Sequence, residues 1–179
     1  TLEGKDKKEF LRGAEIAYET ILSSFATGDL IKLKSLLSSN MFSNFSDAIK
    51  SRNKEGIKSE FTFIGIKESS VEKYEKIKDN LFATVNFVAE VISVKKDKEN
   101  KIIEGNPDKI KFVTDSWKFT RNIKQKNPNW YLSEIISKWQ KKKYPTKKTR
   151  KFGKTTLKTQ QIYTTRTKKI LEMFREESV

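Results

Sequence analysis

The chain contains no cysteine and no histidine. Without cysteine it has no disulfide framework, no thiolate nucleophile and no thiolate metal site. Without histidine it also lacks the usual general base of enzymes and the commonest zinc ligand. These two absences disfavour most acid–base enzymes and most zinc proteins, and they indicate neither a cofactor nor a metal.

Glycine and long apolar runs are also scarce. The seven glycines stand apart from one another, so no glycine-rich phosphate-binding loop is present. No window approaches the ~20 apolar residues that a membrane-spanning helix needs. A secretory signal peptide, with its basic start and apolar run, is missing as well. Because the sequence begins with Thr1, we expect that an N-terminal segment precedes it. A targeting or anchoring role for that segment is compatible with the sequence.

Charge is abundant but unevenly spread. The residues after Ile136 hold 14 of the 38 basic side chains and only 3 of the 23 acidic ones. This composition favours a folded domain over residues 1–137 followed by a basic, partly flexible extension over 138–179. Aromatic residues among its lysines leave two other interpretations open, nucleic-acid binding and attraction to an anionic membrane.

The first third of the sequence has helical periodicity. Apolar residues recur three and four positions apart over residues 5–26, then over 30–37 and 41–55. Gly28 and Gly56 follow two of these segments, where a glycine commonly ends a helix. The sequence therefore predicts three helices joined by short connections.

After Gly56 the pattern changes to the alternation typical of strands. Segments 61–66, 81–92, 109–121 and 130–132 are rich in β-branched and aromatic residues, and the alternation of the first continues towards Val71. Asn127-Pro128-Asn129 provides the turn between the last two segments. Helices followed by an antiparallel meander predict an α+β fold in which the helices pack on one face of a curved sheet.

Asp115 is the one acid on an otherwise apolar strand face, between Val113 and Trp117. Such a carboxylate could abstract a proton beside a carbonyl group. It could instead pair with Arg121, with a lysine or with a backbone amide. The second interpretation is favoured because no other acid, tyrosine or histidine at a characteristic spacing supports catalysis.

The first helix also permits two interpretations. Its apolar stripe is typical of a core-facing helix. Its basic start has the composition of a helix that lies in a membrane interface. The candidate membrane-binding residues are Lys7, Lys8, Phe10, Leu11 and Arg12.

The order of these segments resembles the Tim44-like domain family, shared by a mitochondrial inner-membrane import subunit and bacterial relatives. The similarity spans about residues 6–137 and includes a glycine turn before the tryptophan strand. The matching segments are 10–18, 25–30 with Leu33 and Leu36-Leu37, 61–66, 86–90, 104–107, 113–119 and 127–130. The extension after residue 137 has no counterpart in the family pattern, and residues 1–179 hold no match to the chaperone-recruiting N-terminal region of the import subunit.

This resemblance implies a cystatin- or NTF2-like cone with an apolar pocket and a non-enzymatic role. The implied role is that of a membrane-peripheral adaptor in protein translocation or membrane-protein assembly. Its expected partners are a cardiolipin-type anionic lipid and proteins of that machinery, at the bacterial inner membrane or the matrix side of the mitochondrial one. A small-molecule-binding or isomerase-type enzyme on the same cone, and a nucleic-acid-binding protein, are the alternatives. The expected pocket residues are Phe87, Val113, Asp115, Trp117, Phe119, Trp130 and Leu132.

Overall fold

The computed structural model describes residues 4–136 and begins with three helices. They are α1 (Gly4–Thr27), α2 (Leu30–Leu36) and α3 (Ser39–Glu55). The side chains of Asp29 and Ser38 cap α2 and α3, because each accepts a hydrogen bond from a backbone N–H of the first turn. All the sequence-based helix bounds agree with the structure to within two residues.

A single antiparallel sheet follows the helices. In the described part of the chain the strand order is β1-β2-β4-β5, and the short β3 pairs with the far end of β2. Three helices on a curved antiparallel sheet confirm the α+β prediction. The strands are β1 (Lys58–Ile77), β2 (Asn80–Lys96), β3 (Ile102–Gly105), β4 (Lys111–Asn122) and β5 (Tyr131–Ile136).

Two strand predictions differ from the structure. β1 continues beyond the alternation that runs towards Val71, because its charged second half pairs with β2 down to the turn at Lys78-Asp79. β3 was missed entirely, since Ile102 and Ile103 lie between a charged loop and a glycine turn and show no alternation of their own. In both places backbone pairing with β2 sets the structure, and the side-chain pattern does not.

The pairing of β1 with β2 is interrupted three times. Its register shifts between Phe63 and Gly65, between Ile66 and Glu68, and between Val71 and Lys73. An extra residue in one strand of a pair bends that strand and increases its twist. These bulges therefore bend and twist β1, the strand that α1 contacts.

The core lies between the helices and one sheet face. Fully buried Tyr18 and Ile21 of α1 pack with Trp117 and Phe119 of β4 and with Phe87 of β2. These side chains fill the space between α1 and the central strands. The face of β4 that points towards α1 is therefore mostly packed core.

Gly105→Ala is expected to lower the free energy of unfolding by about 2 kcal/mol or more. Gly105 has a φ of +88°, and a Cβ there would lie 2.0 Å from the Ser93 carbonyl oxygen. Gly65→Ala is the matched control, because a Cβ at Gly65 would meet nothing within 4 Å. Urea unfolding of both variants tests this, and equal stabilities would contradict it.

Candidate functional site

Asp115 and Tyr18 form a pair between the sheet and α1. Asp115 lies in the middle of β4, opposite Phe87 of β2. The Tyr18 hydroxyl donates a hydrogen bond to its Oδ2 at 2.5 Å. The Tyr18 ring stacks on Phe87 at 4.4 Å between centroids and lies 4.5 Å from the ring of Trp117. The Tyr18 hydroxyl is thus held against the carboxylate by aromatic packing.

Burial sets the electrostatics of this pair. Desolvation raises the pKa of Asp115 to about 6, although the hydrogen bond from Tyr18 and the charge of Lys111 act in the opposite direction. The pKa of Tyr18 is raised, first by burial and then by the negative charge of Asp115. Asp115 therefore changes its charge close to neutral pH, while Tyr18 remains a hydrogen-bond donor throughout the physiological range.

A small pocket opens beside Asp115, with about 260 Å³ of empty space, part of it open to solvent. The surface that its walls expose is almost entirely apolar, although Asp115, Ser93 and Lys111 are among the lining residues. The enclosed part has room for about one water molecule. The lining residues are Leu22 of α1, Phe61 of β1, Val91 and Ser93 of β2, and Lys111, Val113 and Asp115 of β4.

The structure distributes the expected pocket residues over three places. Val113 and Asp115 line the pocket. Trp130 is partly buried just before β5, and its ring lies 4.8 Å from that of Phe10. Three aromatic residues and one leucine are buried in the core beneath α1, namely Phe87, Trp117, Phe119 and Leu132.

The candidate membrane-binding residues divide by exposure. Lys7, Lys8 and Arg12 are exposed on the outer side of α1. Phe10 and Leu11 are half-buried and pack against the core. Phe10 contacts both Trp130 and Phe119 edge to face, at 4.8 and 6.4 Å between ring centroids.

Sequence reasoning missed the partner of Asp115. Its hydrogen-bond partner is Tyr18, and Arg121, which the sequence suggested, is not that partner. The two residues are 97 positions apart, so local spacing carries no signal of the contact. The available signal was Tyr18 itself, a polar-tipped residue within the apolar stripe of α1, where a buried hydroxyl needs an acceptor.

Two further properties concern only the described residues. Between residues 4 and 136 no group of three acidic, histidine or cysteine side chains could hold a metal ion. None of the three helices is long and apolar enough to cross a membrane. The predicted basic extension, residues 138–179, lies outside the described residues.

Comparison with known protein families finds one matching family. The family model for the Tim44-like domain matches residues 3–137, about three quarters of the chain. The chain belongs to the Tim44-like domain family. The matched residues coincide with the helices and sheet described above, and the family expectation from the sequence is confirmed.

The chain is also similar to two known proteins, one matched by sequence and one by structure. A Caenorhabditis elegans protein described as a probable mitochondrial import inner membrane translocase subunit is 26% identical over 134 residues. That alignment covers 73% of this chain and 32% of the relative, so the chain spans about a third of that protein's length. The solved intermembrane-space region of the chloroplast protein ARC6 is 14% identical, with a TM-score of 0.49, covering 72% of this chain and 97% of that one.

Proposed function

We propose that this protein is a non-enzymatic, membrane-peripheral adaptor in protein translocation or membrane-protein assembly. It meets an anionic, cardiolipin-type lipid surface at the bacterial inner membrane or on the matrix side of the mitochondrial one. Membership of the Tim44-like family and the translocase relative support the translocation role. The single structural observation that carries the membrane contact is the group of exposed basic side chains in the first turns of α1, Lys5, Lys7, Lys8 and Arg12, which outnumber the exposed acids Asp6 and Glu9 there.

On the outer side of α1, exposed basic residues lie next to apolar residues that pack on the core. Lys8 and Arg12 are one helical turn apart and share a face, and Lys7 is exposed beside them. Each basic residue near an anionic surface contributes about 1 kcal/mol. Phe10 and Leu11 complete the proposed membrane-binding set through the part of their surface that the core leaves uncovered. Their packing on the core fixes the helix whose charges meet the lipid.

The enzyme alternative has one supporting observation, the raised pKa of Asp115 beside a pocket. Acid–base chemistry on a substrate also needs space for the substrate next to the reacting group. The enclosed part of this pocket takes only about one water molecule. The size of the pocket therefore gives the enzyme alternative no further support.

Lys7→Ala/Lys8→Ala/Arg12→Ala is expected to lower the affinity for anionic vesicles by roughly 10- to 100-fold, because about three basic contacts are lost. Co-sedimentation with vesicles that contain cardiolipin, compared with phosphatidylcholine alone, measures the bound fraction. Salt at physiological strength and above should release the wild-type protein, since surface charges are then screened.

The matched control is Lys34→Ala/Lys50→Ala/Lys54→Ala, which removes the same charge from exposed positions on α2 and α3. This variant should bind like the wild type. Failure of the wild type to sediment with anionic vesicles at low salt would overturn the lipid contact. An equal loss in both variants would show that net charge, and not α1, determines binding.

A further inference from the structure

Arg121 is a charged side chain without a partner at one end of the core. It lies two positions beyond the buried Phe119 on the same side of β4. Its Nε is buried, yet no hydrogen bond reaches that atom, and no ion pair to Arg121 is found within residues 4–136. A desolvated N–H group without an acceptor is costly. Because the residue as a whole is only half-buried, an anion from solution can reach the guanidinium.

The neighbouring strands bring a second cation to the same place. Arg121 lies opposite Leu81 of β2, and Leu81 lies opposite Lys76 of β1. Residues directly opposite each other share a face of the sheet, so these three side chains lie on the side that the core occupies. We call them the cationic row. Its two charged residues flank Leu81 with their backbones about 10 Å apart, a span that two long side chains can close around one anion.

Acids near the turn between β1 and β2 are already paired. The Oε1 of Glu75 is 2.7 Å from the Nζ of Lys73, and the Oδ2 of Asp79 is 2.8 Å from the Nζ of Lys124. Lys76 is exposed, and no ion pair to it is found in the described part of the chain. The cationic row therefore keeps both positive charges for a ligand.

Aromatic rings border Arg121 on its other side. Trp130 precedes Tyr131, which pairs with Thr120, so Trp130 lies next to Arg121 where the β4–β5 pairing ends. The ring of Phe10 from α1 lies 4.8 Å from the ring of Trp130. Both rings are only partly buried. A ligand at Arg121 therefore meets a guanidinium and, beside it, accessible apolar surface.

We infer that Arg121 and Lys76 bind a phosphate group that carries an apolar substituent, as in the head group of an anionic phospholipid. The planar guanidinium donates two N–H groups to phosphate oxygens, and Lys76 adds a second positive charge. Trp130 and Phe10 contact the apolar part next to the phosphate. The inference rests on the proposed lipid contact for the source of the phosphate, but Arg121 and Lys76 lie outside the proposed membrane-binding set.

NMR of the full chain labelled with ¹⁵N tests the inference through the N–H signal of the Arg121 Nε. This signal is assigned by its absence from the Arg121→Gln variant. The probes are monomeric dihexanoyl phosphatidylglycerol and inorganic phosphate. Both should shift the signal saturably, the lipid with about tenfold higher affinity, because burial of about two methylene groups adds that much. No shift with the lipid at millimolar concentration would overturn the inference, and equal affinities would overturn the apolar substituent and with it the lipid source.

Calorimetric titration of variants with the same short-chain lipid tests the residues. Arg121→Gln should lower the affinity by about tenfold or more, and Arg121→Lys by about fivefold, because lysine keeps the charge but lacks the guanidinium fork. Lys126→Gln is the matched control, since it removes one charge from an exposed position in the loop after β4 and should bind like the wild type. Equal losses in Arg121→Gln and Lys126→Gln, with both variants folded by urea unfolding, would overturn the assignment of Arg121. Wild-type affinity in Arg121→Lys would overturn the role of the fork.

Vesicle co-sedimentation separates this inference from the proposed function. If the wild type sediments with cardiolipin vesicles but the short-chain lipid leaves the Arg121 signal unchanged, only the inference is overturned. If the wild type fails to sediment but the lipid shifts that signal, the membrane contact of α1 is overturned and the phosphate site stands.

Discussion

Tyr18→Ala is expected to lower the free energy of unfolding by about 4 kcal/mol, a large part of the stability of an ordinary domain. The Tyr18 side chain is fully buried and touches the rings of Phe63, Phe87 and Trp117. Alanine leaves a cavity there and also leaves the Asp115 carboxylate without its donor. Urea or thermal unfolding measures the loss.

Tyr18→Phe separates packing from hydrogen bonding. Phenylalanine keeps the ring contacts and removes only the hydroxyl that donates to Asp115. We expect a smaller loss, about 1–3 kcal/mol at pH 7, the usual cost of an unsatisfied buried acceptor. A Tyr18→Phe variant as unstable as Tyr18→Ala would show that the hydrogen bond outweighs packing, contrary to this account.

Asp115→Asn is expected to stabilise the protein at neutral pH relative to the wild type. The pKa of Asp115 is about 6 in the folded chain against 3.8 in an ordinary carboxyl group. The folded protein therefore holds a proton that the unfolded chain releases, and its stability falls as the pH rises from about 4 to 6. The full shift corresponds to roughly 3 kcal/mol. The asparagine oxygen still accepts from Tyr18 but never ionises.

Urea unfolding of wild type and Asp115→Asn at pH 4, 5, 6 and 7.5 tests this expectation. The difference in free energy between the two proteins should grow through the window from 4 to 6 and level off above it. Other titrating groups affect both proteins alike and cancel in the comparison. A constant difference across these pH values would contradict the raised pKa of Asp115.

The sequence predicts the helices well because their limits depend on local chemistry. Asp29, Ser38, Gly28 and Gly56 act within one turn of the helix ends that they define. The α+β class follows from the change of period at Gly56. The sequence does not predict β3, because this strand forms by pairing with β2 and its own side chains show no strand pattern.

Only the β4 residues of the candidate site could be predicted from the sequence. Asp115 and Val113 were identified because a lone acid on an apolar strand face is conspicuous. Tyr18 and Leu22 come from α1, and Phe61 comes from β1, so only the folded chain brings them to β4. Burial of Phe87 and Trp117 beneath α1 likewise depends on which sheet face the helix covers, and strand alternation alone does not determine that.

The irregular pairing of β1 has a consequence for contacts between molecules. In the described part of the chain β1 is the long outer strand at one side of the sheet, and such a strand can recruit strands from other chains. Three breaks in its regular geometry, at Gly65, Glu68 and Lys73, deny an incoming strand a continuous hydrogen-bonding row. A concentrated solution should therefore resist fibril formation along β1, and straightening that strand would remove this protection.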